Sequence, residues 1–136
     1  MHQITIEYEG ELRTRAKHLQ SGNELITDAP IDNHGKGEVF SPTDLVATAL
    51  ASCILTIMGI VAERRNIDLK GTISEVTKVM GENPRRIAEI HVNIYFKTDI
   101  SSQDRKVLEK AAHSCPVHQS LHGNFVEKKI IFNYQS

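Results

Sequence analysis

The sequence lacks the features that mark several common classes of small protein. It has only two cysteines, and its 16 Lys and Arg residues are balanced by 17 Asp and Glu residues. The absence of a basic excess argues against a protein that binds nucleic acid or an anionic membrane. Two cysteines in a reducing compartment are not expected to form a structural disulfide, which leaves inert core thiols, metal ligands or redox chemistry.

Signals for export and for repeats are also absent. The N-terminal residues MHQITIEYEG contain no basic segment followed by an apolar run, so no signal peptide is indicated and we expect a cytoplasmic protein. There is no internal repeat or low-complexity tract. We therefore expect a single domain over residues 1–136, long enough to bury roughly two-thirds of the surface of its unfolded chain.

One long apolar stretch is present, at Ser41–Arg65. Its start is typical of an α-helix, because Ser41 is a good N-cap, Pro42 suits the first helical position and Asp44 places a negative charge in the first turn. We therefore expect a helix to begin at this point.

The predicted helix is apolar on nearly all sides. No charged residue occurs within Leu45–Ala62, where the only polar side chains form a narrow stripe of Thr48, Ser52 and Thr56. Such a helix either crosses a membrane or lies at the centre of a packed core. The charged, strand-like segments around it and the lack of a second span favour the core. Cys53, about midway along the helix, is therefore expected to lie inside the protein.

Alternating apolar residues predict strands on both sides of this helix. The predicted segments, in order, are the strands His2–Tyr8, Glu11–His18 and Glu24–Thr27, the central helix, a hairpin of Asp68–Met80 and Ile90–Phe96, an amphipathic helix capped by Ser101, and a last strand, Phe125–Tyr134. This order contains too few helices between strands for a doubly wound parallel sheet. We predict an α+β fold with antiparallel sheets wrapped around the central helix.

A central helix with so much apolar surface needs cover on more than one side. One sheet of a small monomer cannot supply all of it, and the second helix of the same chain is one candidate for the rest. The other candidate is a partner subunit, which would make the protein a homodimer.

The second cysteine lies in a different setting from the first. Pro116 suits the first position of a short helix that would end near Gly123, which places Cys115 at the positive end of a helix dipole. His113 and His118 would add to this effect if they were protonated. A Cys115 thiolate is therefore plausible.

Cys53 receives no help from a helix dipole, and a buried cysteine is often only a small apolar residue. To ionise, it would need a cation from elsewhere in the fold. Arg13 and Arg15 share one face of the predicted second strand and are the candidates, although such a pair is also typical of a solvated surface. Possible partners of that arginine are Thr43, Asp44 and Glu63. Of these, Asp44 is equally explained as a first-turn charge.

The segments SPTDLVATALASC and HSCPVHQSL resemble the two cysteine motifs of the OsmC/Ohr family, which comprises osmotically inducible protein C and the organic hydroperoxide resistance proteins. The resemblance extends over essentially the whole chain in length, element order and cysteine separation, and it is strongest with the OsmC-like branch. It implies an intertwined α+β homodimer in which two long central helices are wrapped by sheets.

The resemblance also implies a thiol peroxidase that uses no metal, haem or other cofactor. Cys53 would be the peroxidatic cysteine, which attacks an organic hydroperoxide and becomes a sulfenic acid. Cys115 would resolve it, and a dithiol would reduce the resulting Cys53–Cys115 disulfide. A lipoylated protein is the usual reductant in the hydroperoxide resistance branch. That branch carries Glu ten residues before its first cysteine, where this chain has Thr43, followed by Asp44.

Two other functions remain open on the sequence alone. His113, Cys115, His118 and His122 are metal-ligand types within ten residues, and the last two have the i, i+4 spacing of one helix face. The other alternative is an OsmC-like dimeric scaffold with inert thiols and no significant peroxidase activity.

Overall fold

The computed structural model describes residues 1–121 and 126–135. The elements in order are β1 (Ile4–Gly10), β2 (Arg13–His18), β3 (Glu24–Asp28), a short 3-10 helix (Ile31–Asn33), α1 (Pro42–Arg64), β4 (Ile73–Gly81), β5 (Arg86–Tyr95), α2 (Ser102–Ala112), α3 (Pro116–Ser120) and β6 (Glu127–Asn133). Two three-stranded sheets, β1-β2-β3 and β4-β5-β6, accompany the helices, which confirms the α+β prediction. The chain divides into two compact units, Met1–Val46 and Ala47–Ser136.

The sheet of the first unit is antiparallel throughout. In its register Ile6 lies opposite Ala16, and Ala16 lies opposite Leu25, so these three side chains share one face. The alternation that predicts the first strand also places Ile4, Ile6 and Tyr8 on one face, and such a pattern is typical of a half-buried strand. This prediction is wrong for the single chain, in which the three side chains are 55%, 68% and 64% exposed.

The start of α1 is fixed by a reciprocal pair of hydrogen bonds. Ser41 Oγ accepts from the backbone N–H of Asp44 at 3.0 Å, and Asp44 Oδ2 accepts from the backbone N–H of Ser41 at 2.9 Å. Two backbone donors that the helix itself cannot satisfy are thereby paired. The predicted helix start is confirmed, and Asp44 does more there than place a negative charge.

The two sides of α1 differ in burial. Its buried residues recur at helical spacing along one side and are Ala47, Leu50, Ala51, Ile54, Met58 and Ala62. The predicted polar stripe of Thr48, Ser52 and Thr56 is exposed. Among the described residues, α1 is the one helix long and apolar enough to cross a membrane. Its most apolar window of 18 residues has a mean hydropathy of 2.3, and 33% of that window is buried. The core-helix prediction therefore holds for one side of α1.

The sheet of the second unit combines two kinds of pairing. The predicted hairpin of β4 and β5 is present, and Ile90, Val92 and Ile94 point into the core with no exposed surface. β6, however, runs parallel to β5, so the prediction of antiparallel sheets fails at this one pairing. The reason is the long connection through α2 and α3, because a crossover of this length can return the chain in the direction of the earlier strand.

The amphipathic helix α2 was predicted at its observed start. Ser101 Oγ accepts from the backbone N–H of Asp104 at 3.2 Å, and Leu108 and Ala112 are fully buried on its apolar face. The last strand begins later than predicted in the described part of the chain, at Glu127. The predicted strand start, Phe125, and the predicted helix end, Gly123, lie outside the described residues.

Candidate active site around two cysteines

The second unit brings the two cysteines together. Cys53 lies on α1 next to the fully buried Ile54 and is itself half-buried, whereas Cys115 has no exposed surface. Both are free thiols, and Cys53 lies close enough to Cys115 to raise the pKa of Cys115. Two residues far apart in the sequence are thus neighbours in the folded chain.

Cys115 occupies the position that the sequence predicted. It is the N-cap of α3, Pro116 is in the first turn, and Cys115 Sγ accepts from the backbone N–H of His118 at 3.2 Å. A sulfur atom here replaces the oxygen of the usual Ser, Thr or Asp cap. The short helix thereby fixes the direction of the Cys115 side chain.

Burial nevertheless keeps Cys115 protonated. Loss of contact with water is the largest influence and raises the pKa of Cys115 above its ordinary value of 9.0, and the nearby Cys53 raises it further. The backbone N–H groups of His118 and Val117 act in the opposite direction without offsetting these effects. The expectation of a Cys115 thiolate from the helix dipole is therefore wrong, because burial outweighs the hydrogen bonds of one short turn.

The two histidines beside Cys115 form an aromatic cluster with Phe132. The rings of His113 and His118 meet edge to face, with their centroids 5.5 Å apart, and the ring centroids of His113 and Phe132 are 6.3 Å apart. Burial, followed by the charges of Lys128 and His113, lowers the pKa of His118 below its usual 6.5. His118 is therefore neutral near pH 7 and does not supply the positive charge that the sequence suggested.

Lys128 is a neighbour of this site that the sequence analysis missed. Its Nζ donates to the carbonyl oxygen of His118 at 3.1 Å and also to that of Leu121, so it binds the carbonyl end of α3. In β6, Lys128 and Lys129 lie on opposite faces of the strand, and Lys128 shares its face with the half-buried Ile130. This alternation was the signal that could have identified Lys128 as an inward-facing lysine.

No metal site is formed by the residues that the structure describes. No group of three or more His, Cys, Asp or Glu side chains within residues 1–121 and 126–135 is arranged to hold an ion. His122, the fourth residue of the predicted metal cluster, lies outside the described residues. His113, Cys115 and His118 are close together as predicted, but as a packed cluster.

The two candidate arginines lie in the first unit and differ in how firmly they are held. Arg13 donates to both carboxylate oxygens of Asp28, from Nε at 2.7 Å and from Nη2 at 2.8 Å. Asp28 is completely buried, and Arg13 also binds Glu38 at 2.9 Å. Arg15 instead pairs with the more exposed Glu9 and Glu24, at 2.9 and 3.3 Å.

Asp28 is the partner that the sequence analysis missed. The register of β2 and β3 places it directly opposite Arg13, and it also accepts from the backbone N–H of Glu38 at 3.2 Å. The hydrogen bonds from Arg13 hold the pKa of Asp28 below its usual 3.8, against the opposing effect of burial. The sequence showed an acidic residue at the end of an apolar strand, but its partner depended on a register that only the structure reveals.

The fold and the two neighbouring cysteines define the class of protein. Residues 35–128 match the family model described as OsmC-like protein. The chain belongs to the OsmC-like family, which confirms the resemblance of its two cysteine motifs. A search of the curated proteins found no match.

Solved structures agree with this assignment. A Psychrobacter arcticus protein, provisionally assigned to osmotic stress induction and a detoxification response, is 52% identical, with a TM-score of 0.93 over 97% of this chain and 96% of that one. The organic hydroperoxide resistance protein OsmC of Legionella pneumophila is 17% identical, with a TM-score of 0.75 over 98% of each chain. The organic hydroperoxide resistance protein OhrB of Bacillus subtilis is 20% identical, with a TM-score of 0.65 over 95% of each chain. The last two similarities concern the fold alone.

Proposed function

We propose that this OsmC-like protein is a thiol peroxidase that reduces organic hydroperoxides and, less readily, hydrogen peroxide. The proximity of Cys53 and Cys115 in the second unit carries the proposal. A thiolate that is oxidised to a sulfenic acid condenses readily with a neighbouring thiol, and in this fold such a thiol lies nearby.

The different burial of the two cysteines supports a specific role for each. Cys53 retains exposed surface, so a hydroperoxide can approach it, whereas Cys115 has none. We therefore assign the peroxidatic role to Cys53 and the resolving role to Cys115. The Cys53 thiolate attacks the distal oxygen, the O–O bond breaks, and an alcohol leaves. The sulfur of Cys115 then displaces hydroxide from the sulfenic acid, and a dithiol reduces the disulfide.

Apolar neighbours of Cys53 support the preference for organic hydroperoxides. One turn of α1 before Cys53 is Ala49, which is exposed, and one turn after it is Ile57, which is half-buried. Apolar surface of this kind binds an alkyl group but gives no advantage to hydrogen peroxide. The reductant is proposed to be a dithiol carried by another protein, such as a lipoylated one, in the reducing environment of the cytoplasm.

An arginine is proposed to stabilise the Cys53 thiolate, as the family resemblance implies. Arg13 is the stronger candidate, because its bidentate contact with the buried Asp28 fixes its guanidinium, whereas the carboxylates that hold Arg15 are more exposed. The sequence made Asp44 a possible partner of that arginine. We propose that Asp28 has this role instead. Asp44 retains its role in capping α1.

We also propose that the functional unit is a homodimer. The first sheet exposes Ile4, Ile6 and Tyr8 on one face, and only 33% of the most apolar window of α1 is buried in the single chain. Exposed apolar surfaces of this kind usually mark a protein interface. A second copy of the chain is the partner proposed here.

Thiol titration separates the proposed function from its two alternatives. Free thiols are counted before and after one equivalent of cumene hydroperoxide, with Cys53→Ser as the control. A peroxidase loses two thiols per chain, and the Cys53→Ser protein loses none. Protection of the thiols by Zn²⁺ before peroxide is added would support metal binding instead. If neither protein loses thiols, the result would support a scaffold with inert thiols.

A further inference from the structure

The proposed peroxidase reaction requires a proton at one point and releases one at another. When the Cys53 thiolate attacks ROOH, the distal oxygen stays on sulfur with its hydrogen, and the proximal oxygen leaves as the alkoxide RO⁻. Alcohols are very weak acids, so RO⁻ leaves far more readily if it is protonated as it forms. In the next step Cys115 must lose its proton, because the thiolate is the form that attacks sulfur.

The surroundings of Cys115 favour a direct link between these two proton movements. Cys115 has no exposed surface, so water cannot collect its proton directly. Its Sγ already accepts one hydrogen bond, from the backbone N–H of His118, and Cys53 lies close enough to raise the pKa of Cys115. Its proton is thus held next to the sulfur at which the O–O bond breaks.

We propose that Cys115 is the general acid of the first step as well as the nucleophile of the second. The inference rests on the proposed function. In the first step, Cys53–S⁻, ROOH and Cys115–SH give Cys53–SOH, ROH and Cys115–S⁻. In the second, Cys115–S⁻ attacks the sulfur of Cys53–SOH, the disulfide forms, and hydroxide leaves and takes a proton from solvent. The peroxide gains two electrons, which the two sulfurs lose together.

The charge balance supports this sequence of events. One negative charge is present at the site before the first step, on Cys53, and one is present after it, on Cys115. The N–H of His118, 3.2 Å from Cys115 Sγ, then stabilises the new thiolate. Burial raises the pKa of Cys115, which keeps its proton in place until a stronger base, the alkoxide, appears. The resolving thiolate is therefore produced only when there is a sulfenic acid for it to attack.

Two variants and two oxidants test the proposal. Cys115→Ala has no proton to give, Cys115→Ser keeps a hydroxyl that is a far weaker acid than a thiol, and neither can form the disulfide. The rate of Cys53 sulfenic acid formation is measured in single turnover, by trapping with dimedone and mass spectrometry. The first oxidant is tert-butyl hydroperoxide, whose leaving alkoxide needs a proton. The second is peracetic acid, whose leaving acetate does not.

The expected result is a difference between the two oxidants. Cys115→Ala should slow oxidation by tert-butyl hydroperoxide on the order of a hundredfold and leave oxidation by peracetic acid near the wild-type rate. Cys115→Ser should recover little of the lost rate, because a hydroxyl is a far weaker acid than a thiol. Equal slowing with both oxidants, or no slowing with either, would overturn the proposal.

The wild-type protein provides a second measurement that does not depend on the folding of a variant. Its oxidation by tert-butyl hydroperoxide should be slower in D₂O than in H₂O, and its oxidation by peracetic acid should not. Equal solvent isotope effects for the two oxidants would also overturn the role of Cys115 as an acid. Failure of wild-type Cys53 to react with either oxidant is a separate outcome, which would reject the proposed function itself.

Discussion

The exposed face of β1 allows a quantitative test of the proposed dimer. Ile6 is 68% exposed at the centre of this face, between Ile4 and Tyr8. Substitution of Ile6 by Glu removes its apolar surface and places a carboxylate in the proposed interface. We expect the Ile6→Glu protein to remain folded, because Ile6 contributes little to the core of its own chain, and to lose affinity for its partner.

The size of the effect follows from the exposed fraction. Complete burial of an isoleucine side chain stabilises by about 1.5–3 kcal/mol. Burying the exposed 68% of Ile6 in the interface would therefore stabilise the dimer by about 1–2 kcal/mol per copy. A two-fold symmetric interface contains two copies, which gives about 2–4 kcal/mol. Since about 1.4 kcal/mol corresponds to a tenfold change, the Kd for dimerisation should rise at least roughly 30- to 700-fold.

Sedimentation equilibrium over a dilution series measures this Kd directly. Thr5→Glu is the matched control, because Thr5 lies on the opposite face of the same strand, across from Lys17. We expect Thr5→Glu to dimerise as the wild type does. A dimer that tolerates Ile6→Glu but is weakened by Thr5→Glu would place the interface on the charged face, and a monomeric wild type would refute the dimer altogether.

Three further predictions concern single interactions. Arg13→Ala should slow Cys53 oxidation at least about tenfold and Arg15→Ala should not, as measured by dimedone trapping; equal small effects would mean that neither guanidinium stabilises the thiolate. Arg13 lowers the pKa of Asp28, so the pair stabilises the fold above about pH 4 and loses this contribution as the pH falls through the pKa of folded Asp28. Urea unfolding should therefore show a steeper acid loss for the wild type than for Asp28→Asn, and parallel losses would contradict the pairing. Ser41→Ala should lower the free energy of unfolding by about 1 kcal/mol and Ser52→Ala by much less, again in urea; equal effects would exclude a capping role.

Local patterns in the sequence were sufficient to predict most of the elements. The Ser41 cap, the apolar run after it and the Ser101 cap depend on residues within a few positions of one another, and each predicted helix start is observed. Alternation predicted the hairpin of β4 and β5 for the same reason. Interactions within one helix or hairpin join residues that are close together in the chain, so a local sequence pattern can reveal them.

Features that depend on distant residues could not be predicted in this way. The parallel pairing of β5 and β6 depends on how α2 and α3 return the chain, which no local pattern specifies. The pairing of Arg13 with Asp28 depends on the register of two strands. The protonated state of Cys115 results from a balance between burial and two backbone N–H groups, and only the packed structure shows which effect is larger.

The contact between the two cysteines was suggested by family resemblance and not by local sequence. Each cysteine could be placed on its own helix from the residues around it, but nothing in the spacing brings Cys53 and Cys115 together. Resemblance to the two family motifs supplied that expectation, and the proximity of the two side chains agrees with it. Their chemical roles remain proposals for experiment.

Peptide mapping under non-reducing conditions tests the central claim most directly. The protein is treated with one equivalent of cumene hydroperoxide, the remaining thiols are alkylated, and the digest is analysed by mass spectrometry. The account predicts one cross-linked species that joins the Cys53 and Cys115 peptides of the same chain. Recovery of both peptides in fully alkylated form, with the hydroperoxide unconsumed, would contradict it.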